Sequence, residues 1–277
     1  MKHFKKLTIL AAAALCALAV LAAGCGSDAP AGGKESTQNK VLTVGATPVP
    51  HAEILNEIKP LLAKDGIDLK IIEFTDYVKP NLALNDKELD ANFFQHGPYM
   101  ETFNAEHGTK LKAICKVHIE PMGIYSHKVA KLDELANGAK VAIPNDPTNG
   151  GRALLILQKA GLISLKDNGS ITSTVQDIVK NDKNLQFVEL EAAQIPRSID
   201  DVDIAVINTN FAMEAGLNPL KDAIFLEDKD SPYANILAIH EGDENRPEIQ
   251  ALVKALQSPE VKKFIEDKYQ GAILPSF

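Results

Sequence analysis

The segment IPNDPTNGGRALLIL, residues 143–157, places an arginine directly after two glycines at the predicted start of a helix. Gly150 and Gly151 allow backbone conformations closed to other residues, and the apolar run after Arg152 reads as a helix that ends before Gly161. A helix N-terminus presents free N–H groups, and an arginine adds a planar fork that matches a carboxylate. The segment could therefore form an anion-binding site. Taken alone, however, the loop favours a surface turn whose arginine pairs with a nearby acidic side chain.

Polar and aromatic side chains recur where predicted strands end. Together they supply one guanidinium, one carboxylate, several amides and a group of aromatic rings. A free α-amino acid needs this mixture, because its carboxylate requires an arginine, its ammonium requires oxygen acceptors, and an aromatic pocket suits a thioether side chain. The residues are Tyr77, Phe93, Phe94, Gln95, His96, Tyr99, His118, Glu120, Asn145, Asn149, Arg152, Asn208, Asn210 and Asn235.

Each of these residues also has a plainer interpretation. His96 could be a histidine at the edge of the core, and Tyr77 and Tyr99 could be amphipathic side chains that pack over the strands. Asn208 could cap the helix that follows it, and Glu120, which precedes a proline, could belong to a turn. Residue by residue, these interpretations equal or outweigh a binding role.

Two other classes of function stay open at this point. His51, His96 and His118 with Glu120 could bind a metal ion, although HExxH, CxxC and His-rich loops are absent from the sequence. An enzyme is not indicated, since GxSxG, GxGxxG and GxxxxGK[ST] are also absent, but a hydrolase with paired carboxylates remains compatible with the composition.

Apolar runs and helical patterns alternate along the chain, which predicts an α/β fold. They form two successive sets, and ligands of open α/β sheets lie at the carboxyl ends of strands, so we expect two lobes with a cleft between them. Predicted strands cover residues 41–45, 69–74, 89–94, 111–118, 140–143, 185–189, 204–207, 224–226 and 235–239. Predicted helices cover residues 50–63, 77–85, 98–106, 151–160, 174–179, 247–257 and 259–268, with helical or turn structure at 193–199 and a helix start at 211–215.

The N-terminus predicts the compartment. A basic start, MKHFKK, precedes an apolar run that closes with LAAGC, which is typical of a secretory signal and similar to the lipobox that places a lipid on a cysteine, here Cys25. Residues 26–40 contain no large apolar side chain and predict a flexible tether. Cys115 is then the one cysteine of the folded part, where we expect a buried thiol and no disulfide.

The charge of the chain argues against a nucleic-acid partner. The 277 residues contain 29 Lys and Arg and 37 Asp and Glu, a formal net charge of −8. Removal of the signal, which holds three lysines and no acids, leaves about −11. No basic patch is available for phosphate contacts.

Six long stretches resemble the MetQ/NlpA lipoproteins, which are methionine-binding proteins of ABC importers. They are VGATPVPHAEIL, EFTDYVKPNLALNDKELDANFFQH, HIEPMGIYS, IPNDPTNGGRALLIL, ELEAAQIPRSIDDVDIAVIN and EDKDSPYANILA. The resemblance implies a two-lobed periplasmic-binding-protein (type II) fold with crossover strands. It also implies that Arg152 binds the ligand's carboxylate, that Asn208 and Asn235 hold its polar end, and that Glu120 and Asn235 bind its ammonium. The implied ligand-binding set is Tyr77, Phe94, His96, Tyr99, Glu120, Arg152, Asn208 and Asn235.

From the resemblance we expect a non-enzymatic receptor that needs no cofactor and no metal. It would be held to the cell membrane by the lipid on Cys25, face the extracytoplasmic side, and deliver L-methionine to the membrane subunits of an ABC importer; binding of D-methionine or of another amino acid derivative stays open. The expected organisation is a signal peptide at 1–24, a lipidated tether at 25–40, a first lobe from 41–122 plus 231–277 and a second lobe from 123–230.

Overall fold

The computed structural model describes residues 40–228 and 231–277. The predicted signal peptide, Cys25 and residues 26–39 of the predicted tether therefore lie outside the described residues, and Lys40 is already part of the first strand. The strands are β1 (Lys40–Ala46), β2 (Ile67–Glu73), β3 (Ala91–His96), β4 (Leu111–Ile119), β5 (Gly123–Tyr125), β6 (Lys140–Pro144), β7 (Ser164–Leu165), β8 (Ile178–Lys180), β9 (Gln186–Leu190), β10 (Ile204–Ile207), β11 (Phe225–Leu226), β12 (Ala234–His240) and β13 (Leu274–Pro275).

The α-helices are α1 (Glu53–Lys64), α2 (Lys79–Asn85), α3 (Gly97–His107), α4 (Pro147–Lys159), α5 (Thr209–Glu214), α6 (Pro219–Asp222), α7 (Pro247–Leu256) and α8 (Pro259–Tyr269). Shorter helical turns lie at Pro48–Ala52, Leu132–Glu134, Lys166–Asn168, Val175–Asp177 and Ala192–Ser198. Among the described residues, no helix combines the length and the apolar character that crossing a membrane would require.

A six-stranded mixed sheet forms the first lobe, in the order β13-β4-β12-β3-β1-β2. β1 runs parallel to β2 and β3, whereas β12 runs antiparallel to β3 and β4. The apolar side chains of β1, such as Leu42 and Val44, pack with Ile58 of α1, Leu252 of α7 and Ile265 of α8. This core fixes the strand ends from which several site residues project.

A five-stranded mixed sheet forms the second lobe, in the order β11-β5-β10-β6-β9. β6 is parallel to β9 and β10, and β5 is antiparallel to β10 and β11. Helix α4 buries Ala153, Leu154 and Leu157 against Val141 of β6 and Val206 of β10. The remaining face of this helix is therefore free to present other side chains toward the first lobe.

The chain passes between the two sheets twice. It leaves the first sheet after β4 and enters the second at β5, and it returns from β11 to β12. Sheet membership is consistent with the two lobes expected from the sequence, and the residue boundaries given for them remain a prediction. Both connections carry residues of the candidate site described below.

The predicted strands are all present, and their ends lie within two residues of the expected positions. Residues 174–179 were wrongly predicted as a helix: they form the turn Val175–Asp177 followed by β8, because Thr174 and Asp177 close a local capping box instead of starting a longer helix. The sequence did not predict the short elements β5, β7, β13 and α6, whose few residues carry little periodicity.

The start of α4 differs from the prediction. The helix begins at Pro147, and its N-cap is Asp146, whose carboxylate accepts a hydrogen bond of 2.9 Å from the backbone N–H of Asn149. Gly150 and Gly151 are therefore helical, and they do not form a glycine turn. A Cβ on Gly151 would lie 1.9 Å from the carbonyl oxygen of Ile171, so close packing accounts for this glycine. Arg152 thus projects from the second turn of the helix, and the helix start predicted at the glycines is wrong. The binding of an anion by Arg152 stays a prediction.

Candidate ligand-binding site

A cavity lies between the two lobes, and the space within its lining and its open mouth together is about 350 Å³. All eight residues predicted to bind ligand line the cavity, together with four others. The lining residues are Tyr77, Phe94, Gln95, His96, Tyr99, Glu120, Asn149, Arg152, Asn208, Thr209, Asn210 and Asn235.

Three of the strand-end residues singled out from the sequence do not line the cavity. Phe93 is fully buried and lies edge-on to the rings of His51 and His118, with centroid distances of 4.6 and 5.3 Å. His118 lies behind the cavity wall, where it contacts Glu120. Asn145 lies in the groove at the outer mouth of the cleft.

Aromatic rings form one wall of the cavity. Tyr77 lies 5.8 Å from Phe94, 5.9 Å from Tyr99 and 4.8 Å from Phe211, measured between ring centroids. The hydroxyl of Tyr99 donates to the backbone oxygen of Tyr77 at 3.0 Å, and the hydroxyl of Tyr77 donates across the cleft to Asn210 Oδ1 at 2.5 Å. The polar tips of both tyrosines are thereby engaged, and their rings present an apolar surface.

A chain of hydrogen bonds fixes the orientation of Asn208. The carboxylate of Asp146 can only accept, so Asn149 must turn its Nδ2 toward it, at 3.0 Å from both oxygens. Asn149 Oδ1 then accepts from Asn208 Nδ2 at 2.9 Å and from His96 Nε2 at 3.3 Å. Asn208 Oδ1 is left buried without a hydrogen-bond partner among the described residues. Although Asn208 precedes α5, its side chain does not cap that helix, so the plainer interpretation of this residue is wrong.

His96 combines the two interpretations given to it from the sequence. Its Nδ1 accepts a hydrogen bond from the backbone N–H of Tyr99 at 3.1 Å and so caps α3. Its Nε2 lies in the cavity wall and donates to Asn149. A structural role and a place in the cavity are thus carried by different atoms of one ring.

The orientation of Asn235 is fixed by His51. The Nε2 atom of His51 lies 3.3 Å from Glu120 Oε1, so this nitrogen carries the proton, and it donates to Asn235 Oδ1 at 3.0 Å. Thr47 Oγ1 donates to the other ring nitrogen at 2.6 Å. Asn235 Nδ2 makes no hydrogen bond with any described residue, so the cavity-lining end of this side chain is a donor.

Glu120 forms the centre of a buried network with two histidines. Its Oε1 accepts from His118 Nε2 at 2.7 Å, and its Oε2 accepts from the backbone N–H of Asn210 at 3.0 Å. Burial lowers the pKa of His51 to about 4 and those of His96 and His118 to about 3. Burial also raises the pKa of Glu120, and the positive charge of Arg152 opposes this rise. Both oxygens of Glu120 are engaged by protein donors, so its influence on a ligand would be its charge.

The alternative metal site is assembled only in part. His51, His118 and Glu120 offer ligand atoms that lie within 4.8 Å of one another. His96, the fourth residue considered from the sequence, donates to Asn149 instead. The distances from the histidine nitrogens to the carboxylate of Glu120 are those of hydrogen bonds, so hydrogen bonding by itself accounts for the arrangement of the cluster.

Arg152 is buried in the cavity wall, with partners that the sequence did not identify. Its Nε donates to Glu227 Oε1 at 3.1 Å, its Nη2 pairs with Glu227 Oε2, and Nη2 also donates to the backbone oxygen of Glu120 at 2.8 Å. The ring of Tyr233 lies under the guanidinium, 4.3 Å from Cζ. Its Nη1 makes no hydrogen bond with any described residue. Glu227 and Tyr233 both lie in the stretch EDKDSPYANILA, which was the one signal that could have found them.

The sequence profile of the NlpA lipoproteins matches residues 42–277. The chain belongs to the NlpA lipoprotein family. A curated relative, the D-methionine-binding lipoprotein MetQ of Escherichia coli strain K12, is 44% identical over 272 residues, which covers 97% of this chain and 97% of the relative.

Solved structures of the family share the fold. A nutrient-binding protein from Burkholderia cenocepacia bound to methionine is 46% identical with a TM-score of 0.82, covering 85% of this chain and all of that one. A periplasmic substrate-binding protein of an ABC transporter from Coxiella burnetii is 44% identical with a TM-score of 0.81 over the same share of each chain. The two-lobed periplasmic-binding-protein fold expected from the sequence is confirmed, as is membership of a family of substrate-binding lipoproteins.

Proposed function

We propose that this chain captures methionine in the cavity between its lobes and delivers it to an ABC importer. The relatives named for methionine support this ligand, and so does the similarity to a protein whose structure contains methionine. The observation that carries the proposal is the polarity of the cavity. Within the described residues, donors without a hydrogen-bond partner lie at Asn210 Nδ2, Arg152 Nη1 and Asn235 Nδ2, and an acceptor without a partner lies at Asn208 Oδ1. A separate wall of the cavity is aromatic.

These groups match a methionine zwitterion part by part. Arg152 Nη1 and Asn235 Nδ2 bind the carboxylate through charge-assisted hydrogen bonds. This differs from the ammonium contact expected for Asn235 from the sequence, because His51 occupies its oxygen. Asn208 Oδ1 accepts from the ammonium, and the nearby charge of Glu120 favours the cation. Tyr77, Phe94 and Tyr99 surround the thioether, where each sulfur–aromatic contact contributes about 0.3–1.5 kcal/mol.

The role is binding without catalysis. The carboxylate of Glu120 and the imidazoles of His96 and His51 are held by protein hydrogen bonds, and burial keeps the imidazoles neutral at neutral pH. These groups therefore orient the amides that contact ligand. We propose no proton transfer by any of them.

The proposal includes a lipid anchor at Cys25 and residues 26–39 as a tether that keeps the receptor close to the outer face of the cell membrane. The lobes would be 41–122 plus 231–277 and 123–230. Delivery would require the lobes to open by a hinge motion at the two connections between them.

Native mass spectrometry of protein purified without added ligand tests the proposal. A bound mass equal to methionine supports it, whereas a bound zinc ion would favour the metal receptor, and turnover of a substrate would favour an enzyme. Titration calorimetry with L-methionine and D-methionine then ranks the two stereoisomers, and norleucine, which lacks the sulfur, is the matched control for the aromatic wall. Failure of methionine to bind in both experiments would refute the proposed function.

A further inference from the structure

Glu227 is a mostly buried carboxylate that touches the site without lining the cavity. Only 12% of its side chain is exposed, and its carboxylate lies against Nε and Nη2 of Arg152. It follows β11, and its backbone N–H donates to Met122 O at 2.9 Å while its Oε2 accepts from Met122 N at 3.3 Å. The position of this carboxylate is therefore fixed by backbone contacts as well as by the arginine.

The charges around the cavity are unequal. Among the described residues, Arg152 is the one cationic side chain that lines it. By contrast, Glu227 pairs with the guanidinium, the backbone oxygen of Glu120 accepts from it, and Asp146 accepts from Asn149. The histidines of the site carry no compensating charge near neutral pH, because burial lowers their pKa. The positive charge of Arg152 is thus already balanced by Glu227 before a ligand carboxylate arrives.

Resting on the proposed function, we infer that Glu227 is a specificity-determining residue that makes the site select a net-neutral amino acid over net-anionic analogues. By pairing with two nitrogens of Arg152, Glu227 leaves only Nη1 for the ligand and cancels much of the attraction that an isolated arginine would exert. A ligand carboxylate then binds well only when the same molecule brings an ammonium, which the surrounding carboxylates attract. Glu227 acts through charge, and it need not touch the ligand.

Three ligands that share the thioether side chain separate this role from a structural one. Methionine has no net charge, its deaminated analogue 2-hydroxy-4-(methylthio)butanoate has a charge of about −1 at neutral pH, and methioninamide about +1. Dissociation constants of all three are measured by calorimetry for the wild type and for Glu227→Gln. Glutamine retains the shape and one acceptor oxygen of the side chain, so the variant removes mainly the charge.

The expected result is a change in the ratio of affinities. In Glu227→Gln the affinity for the hydroxy acid, divided by that for the amide, rises at least about tenfold over the wild type, as expected when one unit charge is removed a few ångströms from a ligand charge. Glu227→Asp retains the charge and keeps the wild-type ratio even where all three ligands bind more weakly. Glu244→Gln is the matched control, because it removes a carboxylate that pairs with Lys112 on the surface and should leave the ratio unchanged.

An equal loss of affinity for all three ligands in Glu227→Gln, or an unchanged ratio, overturns the inference. If the glutamine variant does not fold, Glu227→Ser removes the same charge and leaves space for water beside Arg152, and the same ratio decides. Wild-type protein that does not bind methionine refutes the proposed function instead, so the two failures are distinguishable.

Discussion

Asn208→Ala should weaken methionine binding without a matching loss of stability. In the wild type, Asn208 Oδ1 is buried without a partner among the described residues, a situation that costs about 1–3 kcal/mol. The same side chain donates one hydrogen bond to Asn149, worth about 0.5–1.5 kcal/mol. Alanine removes both terms, which oppose each other, so the free energy of unfolding should change by no more than about 1 kcal/mol.

Binding responds differently, because the ammonium of the ligand supplies the missing donor. A hydrogen bond to a charged group contributes about 1.5–3 kcal/mol, so its loss should raise the dissociation constant for methionine about 10- to 150-fold. Titration calorimetry measures the binding, and urea unfolding in the absence of ligand measures the stability.

Asn104→Ala is the matched control, because this amide lies in α3 outside the cavity and is fully hydrogen-bonded. Its Nδ2 donates to Leu111 O at 2.8 Å, and its Oδ1 accepts from Thr109 Oγ1 at 2.7 Å and Leu111 N at 3.1 Å. This variant should lose about 1–3 kcal/mol of stability and keep its affinity for methionine. Wild-type affinity in Asn208→Ala would refute the assignment of its oxygen to the ammonium.

Four further outcomes are expected. Arg152→Ala should weaken methionine binding by about 2–5 kcal/mol in calorimetry, and it should also lower stability, because it leaves a buried carboxylate unpaired. Gly151→Ala should lower the melting temperature, because its Cβ would meet a carbonyl oxygen at 1.9 Å, whereas Gly97→Ala, with no atom within 4 Å of its Cβ, should not. Burial lowers the pKa of His118 to about 3, so below pH 6.5 this histidine binds a proton in the unfolded chain but stays neutral in the folded protein. The free energy of unfolding therefore falls as the pH drops. His118→Gln should reduce this slope by up to about 1.4 kcal/mol per pH unit in urea unfolding between pH 5 and 7. Cys25→Ser should leave binding intact but release the protein from the membrane fraction, and retention in high salt would contradict the lipid anchor.

Local patterns in the sequence predicted the strands and the polar residues at their ends, whereas the resemblance to the NlpA lipoproteins gave those residues a binding role. Buried strands show as short apolar runs, and polar residues at their ends meet at one edge of a sheet. The start of α4 was mistaken although its signal was present: Asp146 followed by Pro147 is a typical N-cap and first helical residue. The prediction gave weight to the flexibility of Gly151, whereas the structure requires that residue to be small.

The orientation of the amides and the partner of the arginine could not be predicted. Asn149 is oriented by Asp146 within the same helix start, whereas Asn208 is oriented by Asn149, which lies 59 residues away in the sequence. The direction in which Asn208 faces therefore depends on a group distant in sequence. Arg152 and Glu227 are 75 residues apart, and nothing local marks them as a pair. Donor and acceptor roles arise from three-dimensional contacts, and residue identity alone leaves them open.

The position of Arg152 joins ligand recognition to the two connections between the lobes. Its Nη2 holds the backbone oxygen of Glu120 in the first connection, while its remaining contacts reach Glu227 and Tyr233 in the second. Any opening of the lobes must bend these connections, because the chain passes between the sheets only there within its described part. A ligand carboxylate at Nη1 therefore contacts the side chain on which both bending segments converge. On the proposed function, occupancy of the cavity would be coupled to the geometry of the two connections through this one guanidinium, whose partner Glu227 lies in the second connection.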